Sequence, residues 1–129
     1  MTNPQHSLNS KVALITGGAK RIGAAIATTL HAAGMDLVIH FRRSAAEAQS
    51  LADALNDMRP NSVVLVKGDL EKSEDSAVLA QQAIEAFGRM DALINNASAF
   101  FPTPIGEVTN DDWEALMGVN LKAPFFLSQ

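Results

Sequence analysis

Thr16, Gly17, Gly18, Arg21 and Gly23 stand close together in the stretch KVALITGGAKRIG, residues 11–23. This grouping is suited to holding an anion. Glycines remove Cβ atoms where main chain has to approach a ligand, and a helix starting just after them turns unpaired N–H groups and its positive dipole end toward the same place. The T-G-x-x-x-x-x-G spacing therefore reads as a phosphate cradle, although a plain strand-to-helix turn needs glycine for backbone geometry alone. Arg21 is the unusual member, a cation where another glycine is commonly found.

Further candidates follow along the chain. His40, Phe41, Arg42, Arg43 and Ser44 close the second apolar run and put guanidinium and hydroxyl donors at one end of it. Asp36 lies at the count where an acidic residue meets the ribose hydroxyls of NAD, about 20 residues past the glycines. It precedes the run, however, and five residues of strand put it some 16 Å (~3.3 Å per residue) from the ligand edge. Cations without a competing carboxylate favour a 2′-phosphate, so the expected cofactor is NADP(H). A solvated basic loop is the alternative for this stretch. Asp69 and Leu70 follow the third run, where an aspartate accepts from an adenine amine or simply caps a helix. Asn95, Asn96 and Ala97 follow the fourth, open to cofactor contact or to turn chemistry. Phe100 and Phe101 lie in the next loop, within reach of a substrate. His6, His31 and His40 are too scattered for a metal site, and none is expected. Trp113, Phe125 and Phe126 read as core or subunit contact.

These residues need a scaffold that brings strand ends together. Four apolar runs, Val12 to Ile15, Leu37 to Phe41, Val63 to Val66 and Ala92 to Ile94, alternate with helical stretches over Ile22 to Ala33, Ala45 to Met58 and about Glu74 to Phe87. That alternation predicts an α/β fold, a doubly wound parallel sheet with helices on both faces. In the third helix Val78, Leu79, Ile84 and Phe87 are expected to face the sheet. Residues 97–106 read as a loop at the carboxyl edge, and Thr109-Asn110-Asp111-Asp112 as the capped start of a helix through Trp113, Leu116 and Met117. Residues 1–10 read as a loose tail and 11–129 as one domain, incomplete at its C-terminus because Ala123 to Gln129 ends on an apolar element.

Composition bounds the function. The 129 residues are 47% hydrophobic and 19% charged with a net charge of -4, which disfavours nucleic acid and membrane surfaces as partners. The absence of cysteine removes disulfides, thiolate metal sites and cysteine nucleophiles. No apolar run reaches the roughly 20 residues of a membrane span. A soluble, cytoplasmic protein is expected.

With the glycine turn, Asp69, N-N-A at 95–97 and Asn120 in a G-V-N-L context, the chain over residues 11–129 resembles the short-chain dehydrogenase/reductase family. T-G-x-x-x-R-x-G, H-x-x-R-S-A-A-E-A and N-N-A-S-x-F-x-P-T-P resemble its pteridine reductases in particular. The resemblance implies a Rossmann-type fold, NADPH-dependent reduction of dihydropterins or dihydrofolates, and a homotetramer. It implies cofactor contacts from Gly17, Arg21, Ile22, Gly23, His40, Arg43, Ser44, Asp69, Leu70, Asn95 and Ala97. Arg21, Ser98 and Phe100 would meet the pterin, with Phe100 stacked on it, and Asn120 would organise a proton-relay water. The family's catalytic Tyr-x-x-x-Lys is missing, since the chain contains no tyrosine. The 129 residues alone are therefore expected to be inactive, the N-terminal half of a protein about twice as long. A short-chain reductase of ketones or acyl thioesters and a non-catalytic NADP-binding module are the alternatives.

Overall fold

A computed structural model of the chain describes residues 7–129; residues 1–6 of the expected tail, His6 among them, lie outside the described residues. Strands β1 (Val12–Ile15), β2 (Asp36–Phe41), β3 (Val63–Lys67) and β4 (Ala92–Ile94) alternate with helices α1 (Arg21–Ala32), α2 (Ala45–Met58) and α3 (Ser73–Phe87). The strands are all parallel, in the order β3-β2-β1-β4. Successive crossovers build outward from β1 through β2 to β3, and the next returns to the opposite side of β1. This reversal opens a crevice at the carboxyl ends of the strands, where ligands bind in such sheets.

Period-two alternation divides the core. Ala13, Ile15, Leu37, Ile39 and Val63 meet Ala27 of α1 and Ala52 and Leu55 of α2 on one face. Val12, Leu14, Val38 and Val66 meet Leu79 and Ala83 of α3 on the other, together with Val119 and Ala123. Leu37, Val38 and Ile39 are 0% exposed, as strands covered on both faces require. Each such side chain contributes about 1.5–3 kcal/mol by leaving water.

The stripe expected on α3 is corrected. Its buried residues are Ser76, Leu79 and Ala83, while Val78 is 55% and Ile84 49% exposed. Only Leu79 is fully covered, with Phe87 partly buried against the same cluster. Positions 76, 79 and 83 recur at the helical spacing, and Val78 and Ile84 each fall one residue, about 100°, off that line.

Beyond β4 the chain has no regular element until α4 (Asn110–Met117). Thr109 caps it with a reciprocal box, its hydroxyl accepting from Asp112 N–H at 3.1 Å and the Asp112 carboxylate accepting from Thr109 N–H at 2.9 Å. A π-helical turn over Gly118–Lys122 joins α4 to α5 (Ala123–Ser128). Among the described residues no helix is long and apolar enough to cross a membrane.

Candidate functional site

The exits of β1 and β4 are tied together by Thr16. Its buried hydroxyl accepts from Asn96 N–H at 3.1 Å and Ala97 N–H at 3.0 Å, while Thr16 N–H donates to Ile94 O at 3.1 Å. The Asn96 side-chain amide donates to Gly17 O at 3.0 Å, so the loop after β4 also holds the glycine turn. Gly17 has φ +60°, and a Cβ there would come within 3.0 Å of Ala97 Cα. A Cβ on buried Gly23 would lie 2.7 Å from Asn96 Nδ2 and 2.8 Å from Gly18 Cα. Both glycines are therefore required by close approach of main chain.

Helix α1 starts at this turn with no side-chain cap and no acidic residue in its first turn. Its first bond runs from Ala24 N–H to Lys20 O at 3.3 Å, so the amides of Arg21, Ile22 and Gly23 precede the helical ladder. Arg21 sits at φ 55°, a left-handed conformation that costs a non-glycine residue about 1–2 kcal/mol. Glycine would take that backbone without strain.

The turn faces a cleft of about 470 Å³. Of the residues singled out by sequence, Gly17, Arg21, Ile22, His40, Arg43, Ser44, Leu70, Ala97 and Ser98 line it. Gly23 lies behind the turn, where its missing side chain admits the Gly17 carbonyl. Asn95 is exposed at the end of β4, and it is Asn96 that lines the cleft. Phe100 is 89% exposed and outside the cleft lining. Phe41 and Arg42 of the basic group after β2 line it as well, and Lys20, Ala19, Ala99 and Val119 join the lining without having been singled out. Lys20 was detectable as a second cation beside Arg21. Nothing in the sequence ranks Asn96 above Asn95.

Charge is distributed unevenly around the cleft. Asp69 pairs with Arg42 at 3.2 Å, and its other oxygen accepts from Glu71 N–H at 3.0 Å. This turns the Asp69 carboxylate into its own loop, and it does not line the cleft. Among the described residues the ion pairs engage Arg42, Arg59 and Arg89, leaving Lys20, Arg21 and Arg43 without one. Ser44 precedes α2, yet its hydroxyl makes no cap bond. Asp36 pairs with Arg59 at 3.6 Å at the amino end of β2, away from the cleft, as its place before the apolar run requires.

His40 is 2% exposed, with both ring nitrogens engaged by main chain. Gly17 N–H donates to Nδ1 at 3.0 Å, and Nε2 lies 2.8 Å from Gly68 O. A carbonyl only accepts, so the proton resides on Nε2 and the ring is neutral. Burial pushes its pKa below the ordinary value, against the Gly68 carbonyl and the Asp69 carboxylate.

Asn120 lies in the π-helical turn and is not itself a lining residue, although Ala99, which it holds, and its neighbour Val119 are. It donates from Nδ2 to Ala99 O at 2.8 Å and accepts at Oδ1 from Ala99 N–H at 3.0 Å. Ser98 and Phe100 flank the residue it holds. An extra residue in a helix at such a point commonly marks a functional site.

Donors, cations and a glycine turn converge on one crevice, and comparison with known proteins agrees with that geometry. The short chain dehydrogenase model matches residues 11–129. Pteridine reductase 1 of Leishmania tarentolae is 38% identical, covering 94% of this chain and 53% of that protein. Short-chain dehydrogenase/reductase FrzI of Cladobotryum sp is 32% identical, over 98% of this chain and 49% of that protein. The solved structure of FolM alternative dihydrofolate reductase 1 from Brucella canis, complexed with NADP, superposes with a TM-score of 0.88 at 34% identity, covering 95% of this chain and 49% of that one. A blue fluorescent protein from a metagenomic library, in complex with NADPH, gives 0.88 at 35% identity, over 95% of this chain and 50% of that one. The chain spans about half the length of the curated relatives it matches. On the family match and the parallel βαβ sheet together, the chain belongs to the short chain dehydrogenase family.

Proposed function

We propose that these residues form the NADP(H) site and part of the substrate site of a pterin or folate reductase. The observation that carries this reading is the set of cations, Lys20, Arg21 and Arg43, that make no ion pair among the described residues and stand around the uncapped start of α1. The donor set fits a dinucleotide phosphate: helix amides and Arg21 for the pyrophosphate, Arg43 and the Ser44 hydroxyl for the 2′-phosphate. Leu70 and the Asp69 main chain would border the adenine.

NADPH, when bound, supplies the hydride. The chain's own part is to hold its phosphates at the turn and to present the loop carrying Ala97, Ser98 and Phe100 beside the reacting ring, so that proximity lowers the barrier. Ser98 offers a hydrogen bond there, and Phe100 an aromatic face for a planar heterocycle. Asn120 fixes the loop and would help to order a relay water. The proton donor of this reading is a Tyr-x-x-x-Lys pair not found in the 129 residues, which alone are proposed to be inactive. Assembly as a homotetramer in the cytoplasm completes the reading.

Arg21 favours pterins over ketones in this reading, its guanidinium serving both the cofactor phosphates and the substrate side of the cleft it lines, where a glycine would offer no side chain. The test is NADPH oxidation by the protein that carries these residues. Turnover of dihydrobiopterin or dihydrofolate supports the proposal. Turnover of a ketoacyl thioester without any pterin turnover contradicts it.

A further inference from the structure

Two consecutive amides of the glycine turn end on one residue. Gly17 N–H donates to His40 Nδ1 at 3.0 Å, and Gly18 N–H donates to His40 O at 3.0 Å. On the opposite side the Gly17 carbonyl is held by Asn96 Nδ2. The His40 ring is anchored in turn at Gly68 O, just past β3. The turn between β1 and α1 is thus pinned from β2, through one imidazole nitrogen and one carbonyl.

We propose that His40 is a positioning residue whose neutral Nε2–H tautomer clamps the glycine turn in its anion-binding shape, and whose protonation releases it. Gaining a proton at Nδ1 would set that N–H against the Gly17 N–H, donor facing donor. One of them has to move, and the start of α1 moves with Gly17. His40 is 2% exposed, so the loss of its acceptor is costly to the Gly17 N–H.

The charged groups near the ring oppose one another. Asp69, in the loop beyond Gly68, favours the imidazolium; its carboxylate is shared with Arg42, and its N–H is held by the Asp75 carboxylate at 2.8 Å. Lys20 and Arg21 at the start of α1 and Arg43 beyond β2 line the same cleft and add positive charge. Burial outweighs Asp69 and keeps the ring neutral at neutral pH. The coupling to cofactor rests on the NADP(H) reading above, whereas the clamp itself does not.

The clamp is tested without ligand by following the His40 ring nitrogens and the Gly17 amide by NMR in a pH titration. The proposal expects the Nε2–H tautomer, a midpoint below 6.5, and Gly17 and Gly18 amide shifts that follow the ring. An ordinary midpoint, or glycine amides that ignore the ring, overturns it. The coupling is tested by titrating NADPH into wild type and His40→Asn, whose Oδ1 replaces the Nδ1 acceptor but does not titrate. The 2′-phosphate titrates alike in both, so the difference isolates His40. Below the ring's pKa, wild-type affinity should fall by up to about tenfold per pH unit more than that of the variant. Parallel profiles overturn the coupling. Failure of NADPH to bind either protein at any pH counts against the cofactor reading and leaves the clamp to be judged by NMR.

Discussion

Asn120 grips Ala99 by both ends of its carboxamide, donating to the carbonyl at 2.8 Å and accepting from the N–H at 3.0 Å. A helix residue thereby reproduces a strand-like pair of bonds and fixes the loop between Ser98 and Phe100. Asn120→Asp keeps the acceptor but sets a carboxylate oxygen against the Ala99 carbonyl. The expected result is a raised KM for pterin with little change in NADPH affinity, and a stability loss of about 1 kcal/mol. Steady-state kinetics of the active protein that carries these residues, beside a cofactor titration, separates the two effects.

Arg21 combines a strained backbone, φ 55°, with a cation at the mouth of the cleft. Arg21→Gly relieves about 1–2 kcal/mol of left-handed strain but gives back about 0.5–1 kcal/mol through the greater freedom of the unfolded chain. Urea unfolding should show the variant as stable as wild type, or slightly more so, while fluorescence titration shows weaker NADPH binding. Loss of both would mean that the side chain serves the fold.

Gly23 admits no Cβ, since Gly18 Cα and the Asn96 amide occupy its space. Gly23→Ala should cost about 1–3 kcal/mol by overpacking. Because the displaced atoms belong to the turn and to the residue that holds it, NADPH affinity should fall as well, as measured by the same titration.

Acid should destabilise the chain in two stages. Burial lowers the pKa of both His40 and His31, with the Arg59 charge assisting at His31 against Asp36. The unfolded histidines bind protons below 6.5 while the folded ones still do not, so stability is fully present above 6.5 and declines as pH falls toward the folded values. Asp91 is held at about 2 by Arg89 and by Val12 N–H, so its contribution is present above 3.8 and lost as pH falls toward 2. Urea midpoints against pH should show the histidine stage, and Asp91→Asn should remove the acid stage.

Much of this was legible because period and punctuation are local properties. The four apolar runs became the four strands within a residue at either end, Gly34 and Gly88 closed α1 and α3, and Thr109 capped α4. The basic group after β2 was legible too, since strand direction alone puts it at the same edge as the glycines. What stayed hidden depends on contacts distant in sequence. Asn96 holds Gly17 across 79 residues, and Asp69 engages Arg42 instead of the cleft, which separates Arg42 from its neighbour Arg43. The buried face of α3 is not legible from apolarity alone, because Val78 and Ile84 are apolar yet exposed. The left-handed Arg21 and the π-helical turn at Asn120 break local rules, and both lie where the proposed chemistry is.

With Arg42 engaged by Asp69, Arg43 is the cation beyond β2 left for a 2′-phosphate. The direct test is the affinity of wild type and Arg43→Glu for NADPH and for NADH, measured side by side. The account predicts that wild type prefers NADPH, and that the variant loses at least about tenfold on NADPH while NADH changes little, because the carboxylate repels only the ligand with the extra phosphate. Equal losses on both ligands, or a wild type that favours NADH, would contradict it.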